Sequence, residues 1–194
     1  MSILALTSNT LIGTPAAGNL EYDGQFFGTD SNASRAQMQR ITQGTAVSLS
    51  GTSVEFTSLP AWVKRITVML YSGVSSNGTS NMQVQIGSGS YTTSGYTGAY
   101  ANAVNASATN WAAFTTGFAI FNDNAPDTRN GTMILTSAGS NTWVSSGMFI
   151  TTNRGIMGNT TGFIALGGVL DRLRLTTVGG DTFDAGSVNI IYEG

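Results

Sequence analysis

The stretch Met82-Gln83-Val84-Gln85-Ile86 alternates apolar and polar residues without a break, and that period of two decides the fold class. Successive side chains of an extended chain point to opposite faces, so the stretch reads as a strand with one dry face and one wetter face. Working outward, the same period recurs. Ile66, Val68 and Leu70 alternate with Arg65, Thr67, Met69 and Tyr71. Leu173 and Leu175 alternate with Arg172 and Arg174, and Val188, Ile190 and Tyr192 with Asn189 and Ile191. One dry and one wet face is the pattern of antiparallel sheets. No segment carries a convincing amphipathic helix of three turns. The best helical candidate, Ser34 to Ile41, fits a strand equally well through Ala36, Met38 and Arg40.

Turn chemistry punctuates these runs. Asp23-Gly24, between Asn19–Tyr22 and Gln25–Gly28, reads as a two-residue hairpin turn with both residues at positive φ. Asn77-Gly78 and Gly179-Gly180-Asp181 mark two further connections. Strands are expected near 2–7, 19–28, 45–57 (broken at Gly51), 63–73, 81–87, 113–121, 131–137, 142–152, 161–166, 170–178 and 186–193. Short strands at this spacing predict an all-β chain, an antiparallel β-sandwich of jelly-roll type with a small N-terminal arm and hairpin region. A change of texture near Thr42–Thr45 separates the arm and hairpin, residues 1–44, from the sandwich, residues 45–194. Tyr91 to Trp111 reads as a long loop, rich in small residues and studded with aromatics.

Composition narrows the chemistry. The chain has 194 residues, Lys+Arg 8 against Asp+Glu 10, and only 9% charged residues, where a soluble domain ordinarily carries ~25%. Ser, Thr and Asn supply roughly a third of the chain instead. Hydrophobic residues at 41% are enough to drive collapse, so disorder is not expected. With no His there is no imidazole base and no Ser-His-Asp triad; with no Cys there is no disulfide or thiolate. The scattered basic residues, Lys64 being the only lysine, argue against nucleic acid. No run approaches a membrane span. The first residues lack the basic flank of a signal peptide.

Two acidic groups are candidates for chemistry: Asp123, Asn124, Asp127 and Asn130 in one loop, Asp181 and Asp184 in another. An acid pair could serve a glycan-degrading enzyme, and oxygen-rich loops suit calcium. The simpler reading is turn chemistry, since Asp and Asn beside Gly and Pro bond their own backbone. No metal, cofactor or catalytic residue is therefore assigned, and the chain is expected not to be an enzyme. The candidates for contact with a glycan or a receptor are Tyr91, Tyr96, Tyr100 and Trp111, whose rings offer an apolar face and a polar handle. The alternative is that these rings anchor the loop to its own sheet. Trp62 and Trp143 read as core or rim, and Arg172 and Arg174 as the wet face of a strand or a face toward another subunit. Five Asn-X-Ser/Thr sequons, at Asn32, Asn77, Asn105, Asn130 and Asn159, are expected by chance in such a composition.

Two regions carry a resemblance. Gly18-Asn19-Leu20-Glu21-Tyr22-Asp23-Gly24-Gln25-Phe26-Phe27, followed by Ala33-Ser34-Arg35, resembles a hairpin motif of tail-fibre and other appendage proteins of tailed bacteriophages. Leu59 to Val68, Ser75 to Ser80 and Asp181 to Ile190 are similar to a β-sandwich domain that recurs on phage virions, often at the distal end of fibres. The resemblance implies a virion structural protein, a fibre or appendage component made in the host cytoplasm. It implies a homotrimer, contacts with other virion proteins and a host-surface glycan or protein as receptor. Capsid (head) decoration is the alternative within the same class. The family shares no chemical residues, so none carries over.

Overall fold

The structure, a computed structural model, describes residues 10–23, 25–104 and 108–194. All its regular elements are strands: β1 (Leu20–Tyr22), β2 (Phe26–Thr29), β3 (Arg35–Gln37), β4 (Ile41–Gln43), β5 (Val47–Ser48), β6 (Ser53–Thr57), β7 (Arg65–Ser76), β8 (Met82–Ser88), β9 (Ser90–Tyr91), β10 (Thr97–Val104), β11 (Ala108–Phe114), β12 (Phe118–Ile120), β13 (Arg129–Gly139), β14 (Thr142–Thr151), β15 (Ile156–Ala165), β16 (Arg172–Thr177) and β17 (Phe183–Glu193). The chain forms two compact units, Met1–Arg40 and Ile41–Gly194. Residues 41–44, placed with the arm on sequence, belong to the second unit, because β4 pairs with β17 and the Gly44 N–H donates to Ile190 O at 2.8 Å.

The first unit is the antiparallel meander β1-β2-β3. Tyr22 pairs with Phe26, one residue beyond the Gln25 partner that a two-residue turn implies. Gly24 itself, and the strand expected over 2–7, lie outside the described residues. Glu21 holds the meander. Its carboxylate accepts from Ile12 N at 2.8 Å, Arg35 Nε at 2.7 Å and Arg35 Nη2 at 3.1 Å. Burial raises the Glu21 pKa, but the Ile12 N–H and the Arg35 guanidinium outweigh it and hold the group below its usual range. The rings of Tyr22 and Phe26 meet at 4.9 Å. Asp30 Oδ1 accepts from the N–H of Asn32 and Ser34, both at 2.9 Å, fixing the turn into β3.

The second unit is the predicted antiparallel sandwich. One sheet runs β11-β10-β15-β14-β13-β7-β17-β4 with β5 beside β17; the other runs β12-β8-β16-β6 with β9 beside β8. In chain order, β4 with β5, β6, β7, β8, β12, β13, β16 and β17 are eight strands shared between two sheets. The first, eighth, third and sixth lie side by side in one, the second, seventh, fourth and fifth in the other, which is jelly-roll order. The hairpins β10–β11 and β14–β15 are additions that extend the large sheet past β13. Between the sheets the dry faces meet as the period predicts. Met82, Val84, Ile86, Leu173 and Leu175 of one sheet and Ile66, Met133, Leu135 and Val188 of the other have no solvent exposure. Each contributes on the order of 1.5–3 kcal/mol by burial.

Two sequence expectations need correction. Residues 91–111 are not a loop: most of them form β9, β10 and β11, and β10 and β11 pair from Gly98↔Phe114 to Val104↔Ala108. The period of two is present there, but it runs through Gly, Ala, Thr and Asn, whose contrast between faces is too weak to read. The strand expected over 113–121 is two. Phe114 ends β11 in the large sheet, and Phe118 opens β12 in the small one. The crossing at 115–117 closes over β8: Gln85 Nε2 donates to Thr116 O at 2.7 Å and Thr116 Oγ1 to Gln83 Oε1 at 2.9 Å. A Cβ on Gly117 would lie 2.6 Å from Gln83 Oε1, so any larger residue here would have to displace the Gln83 amide from its bond with Thr116. Gln83 and Gln85, the wetter face of the deciding stretch, are consequently buried.

Candidate functional site

The outward face of the sheet extension is the feature that stands out. Directly opposed residues in an antiparallel pair share a face, so the registers give its rows. One row is Trp111, Ala101, Asn159, Met148 and Thr132; the next is Ala113, Ala99, Thr161, Ser146 and Ile134. A third runs Ala103, Met157 and Ile150, and a fourth Thr97, Phe163 and Val144. Trp111 is 73% exposed, Met148 58%, Met157 52% and Phe163 49%. Residues 97–104, 108–114, 130–151 and 156–165 contain no Asp, Glu, Lys or Arg. The face is thus without charge and rich in Met and aromatic rings, the composition that distinguishes interface cores from ordinary surface.

The four aromatic candidates separate. Only Trp111 stands on this face in the open. Tyr96 is 1% exposed; its hydroxyl accepts from Ile86 N at 2.9 Å and donates to Thr92 O at 3.1 Å, and its ring meets Phe118 edge-on at 5.0 Å. Burial pushes its pKa to about 12. Tyr100 points to the inner side, packed on the core and against Phe121 at 5.6 Å, with its hydroxyl accepting from Asn81 Nδ2 at 3.2 Å. Tyr91 lies on the other sheet, its ring 4.4 Å from the Arg174 guanidinium. Burial and the Glu55 carboxylate raise its pKa to about 12. Tyr96 and Tyr100 are therefore anchors rather than contact residues. The wet face expected for Arg172 and Arg174 is present, but it is engaged: Arg174 Nε donates to Gln85 Oε1 at 2.8 Å and Arg172 Nε to Asp171 Oδ1 at 2.7 Å. Trp143 is core and Trp62 packs on its rim.

The acidic groups are tied internally. Arg154 Nη1 reaches Asp123 Oδ1 at 2.6 Å and Asp127 Oδ2 at 2.8 Å, so a guanidinium already sits where the loop would hold a cation. Asp127 is fully buried and also takes Arg129 Nη2 at 3.2 Å and Asn124 Nδ2 at 2.9 Å. Burial raises the Asp127 pKa, but Asn124, Arg154 and Arg129 together outweigh it and hold the group low. In the other loop, Asp181 Oδ2 accepts from Ser80 N at 2.9 Å and Asp184 Oδ1 bonds the Ser75 hydroxyl. Among the described residues no group of three or more acidic side chains is placed to hold a metal ion.

Sequence reading passed over Met148, Met157, Phe163 and Val144. The signal that marks them is a gap in charge: no Asp, Glu, Lys or Arg occurs from residue 66 to residue 122, from 130 to 153 or from 155 to 170. Among the described residues no helix is long and apolar enough to cross a membrane.

No family model matches the chain, and no curated protein does. Among solved structures, it is similar to that of SCP-B, a member of the eqolisin family of peptidases, in a complex with the tripeptide Ala-Ile-His, at a TM-score of 0.25 and 10% identity. The likeness covers 76% of this chain and 65% of the other, so the chain spans just under two thirds of that protein's length. The expectation of no enzymatic activity is corrected on this finding, because the structural neighbour is a peptidase, and it is withdrawn. A TM-score of 0.25 assigns no activity in its place, and the all-β sandwich rests on the strand pairings of the chain itself.

Proposed function

We propose that the chain is a component of a tailed-bacteriophage virion, a fibre or appendage protein that assembles as a trimer and contacts the host surface. The N-terminal unit serves attachment and the sandwich makes the outward contacts. The observation that carries this reading is the build of the N-terminal unit. Its motif residues are its structural ties: Glu21 of the hairpin and Arg35 downstream form a two-pronged ion pair across the meander, and the Tyr22 ring packs at a tilt against Phe26. A motif whose residues hold one small module together suits an element shared among appendage proteins. Low charge supports the assembly part, since polar faces without ions lose less on leaving water than charged ones do.

Adsorption competition tests the host contact. Excess purified protein added before phage is expected to lower the number of infected cells, because it occupies the receptor. Full infection at saturating protein contradicts host contact and leaves head decoration as the role.

A further inference from the structure

We propose that the uncharged outer face of β13, β14, β15, β10 and β11 is where a second copy of this chain docks. The inference deepens the assembly part of the proposed function, but it stands on this face and would hold for the chain in any setting.

Size comes first. Five strands spaced about 4.8 Å apart, each presenting roughly eight residues at 3.3 Å, give a projected footprint of roughly 600 Å² before side-chain relief is counted. That approaches the ~800 Å² each partner gives a stable complex. Chemistry comes second. Trp111, Met148, Met157 and Phe163 rise from a floor of Ala99, Ala101, Ala103, Ala113, Ser146 and Thr161. Large apolar groups set among small ones provide both the knobs and the hollows of a close contact between copies. A basic or acidic partner would find no opposite charge here, whereas a copy brings a face equally free of ions to desolvate. With a net charge of −2, copies repel each other little.

The third argument is the edge. β11 ends the sheet order and has no further strand beside it among the described residues. Natural edge strands are usually blunted by Lys, Pro or a bulge. β11, Ala-Thr-Asn-Trp-Ala-Ala-Phe, carries none of these residue types. An unguarded edge continuous with an uncharged face is what an assembly protein can keep, because the partner covers both.

Light scattering on the purified full chain over a dilution series is the test. A mass that is a multiple of 20.1 kDa is expected at about 50 µM, falling toward the monomer only on dilution. Trp111→Lys and Met148→Glu, both at exposed positions, each place a charge on the face and should weaken association at least about tenfold. Val178→Glu, exposed but off this face, should leave the mass unchanged. Circular dichroism confirms that each variant is folded, and Trp111→Lys decides the matter if Met148→Glu is not. A monomer at about 50 µM overturns the proposal. So do folded face variants of wild-type mass, or dissociation by Val178→Glu. If the chain associates through this face yet labels no virion, the functional reading fails alone; if it labels virions and associates but the folded face variants keep the wild-type mass, this inference fails alone.

Discussion

Replacing Asp127 by alanine should be the most damaging single change among the acidic loops. Its carboxylate has no exposure and is shared by Arg129 Nη2 at 3.2 Å, Arg154 Nη1 at 2.8 Å and Asn124 Nδ2 at 2.9 Å. Arg129 is itself 1% exposed. After Asp127→Ala its guanidinium keeps only backbone acceptors, Phe121 O and residue 127 O, and its charge stays buried without a counter-ion. Stranding one partner of a buried pair costs about 3–5 kcal/mol. For a unit of this size that lowers the melting temperature by about 10 °C. Asp123→Ala removes the other acid from Arg154, but at a surface pair, and should cost under about 1 kcal/mol. Asp127→Leu with Arg129→Leu, which removes both buried charges, should recover most of the loss. The assay is reversible thermal unfolding followed by circular dichroism. A melting temperature for Asp127→Ala within about 2 °C of wild type refutes the argument, because a shift that small corresponds to roughly 1 kcal/mol or less.

Three further outcomes follow from the same geometry. Tyr96→Phe strands the buried Ile86 N–H and should cost about 1–3 kcal/mol in a urea melt. The folded Tyr96 hydroxyl has its pKa raised to about 12 from 10.0, so its share of stability is full below pH 10.0 and is lost as pH rises toward 12; the variant should show a shallower alkaline decline. Gly186→Ala forces a side chain onto a backbone at φ +89 and sets its Cβ 2.5 Å from Val74 Cα, so a loss of at least about 2 kcal/mol is expected in the same melt. Glu21 has a depressed pKa, so its contribution is present above its ordinary 4.5 and is lost as pH falls below it. Glu21→Gln at neutral pH should open the meander to trypsin at Arg35 while the melting of the sandwich stays unchanged, and equal protection of Arg35 counts against the tie.

How much of this was legible depended on contrast between faces. Where Val, Ile and Leu alternate with Gln, Arg or Thr, as in β8, β7 and β16, strand, face and core are readable directly from order. Where the alternation runs through Ala, Gly, Thr and Asn, as in β10 and β11, the strands are as regular but the pattern hides them, and a hairpin reads as a loop. The site suffered the same way. Tyr100 looks like a contact residue because sequence cannot say which side of a strand a tyrosine takes; β10 turns it inward, opposite Thr160 and Ala112. Trp111, one position out of phase with Ala112, faces outward. The Asp127 network was half visible: the loop composition announced turns, but Arg154 arrives from the β14–β15 connection, too distant in sequence to pair by inspection.

Electron microscopy of virions decorated with a gold-labelled antibody against this chain tests the central claim most directly. The account predicts label on infectious particles, at a fibre or the distal end of an appendage, with several copies at each position. Particles that carry no label, while the same antibody detects the chain in the infected cell, contradict it.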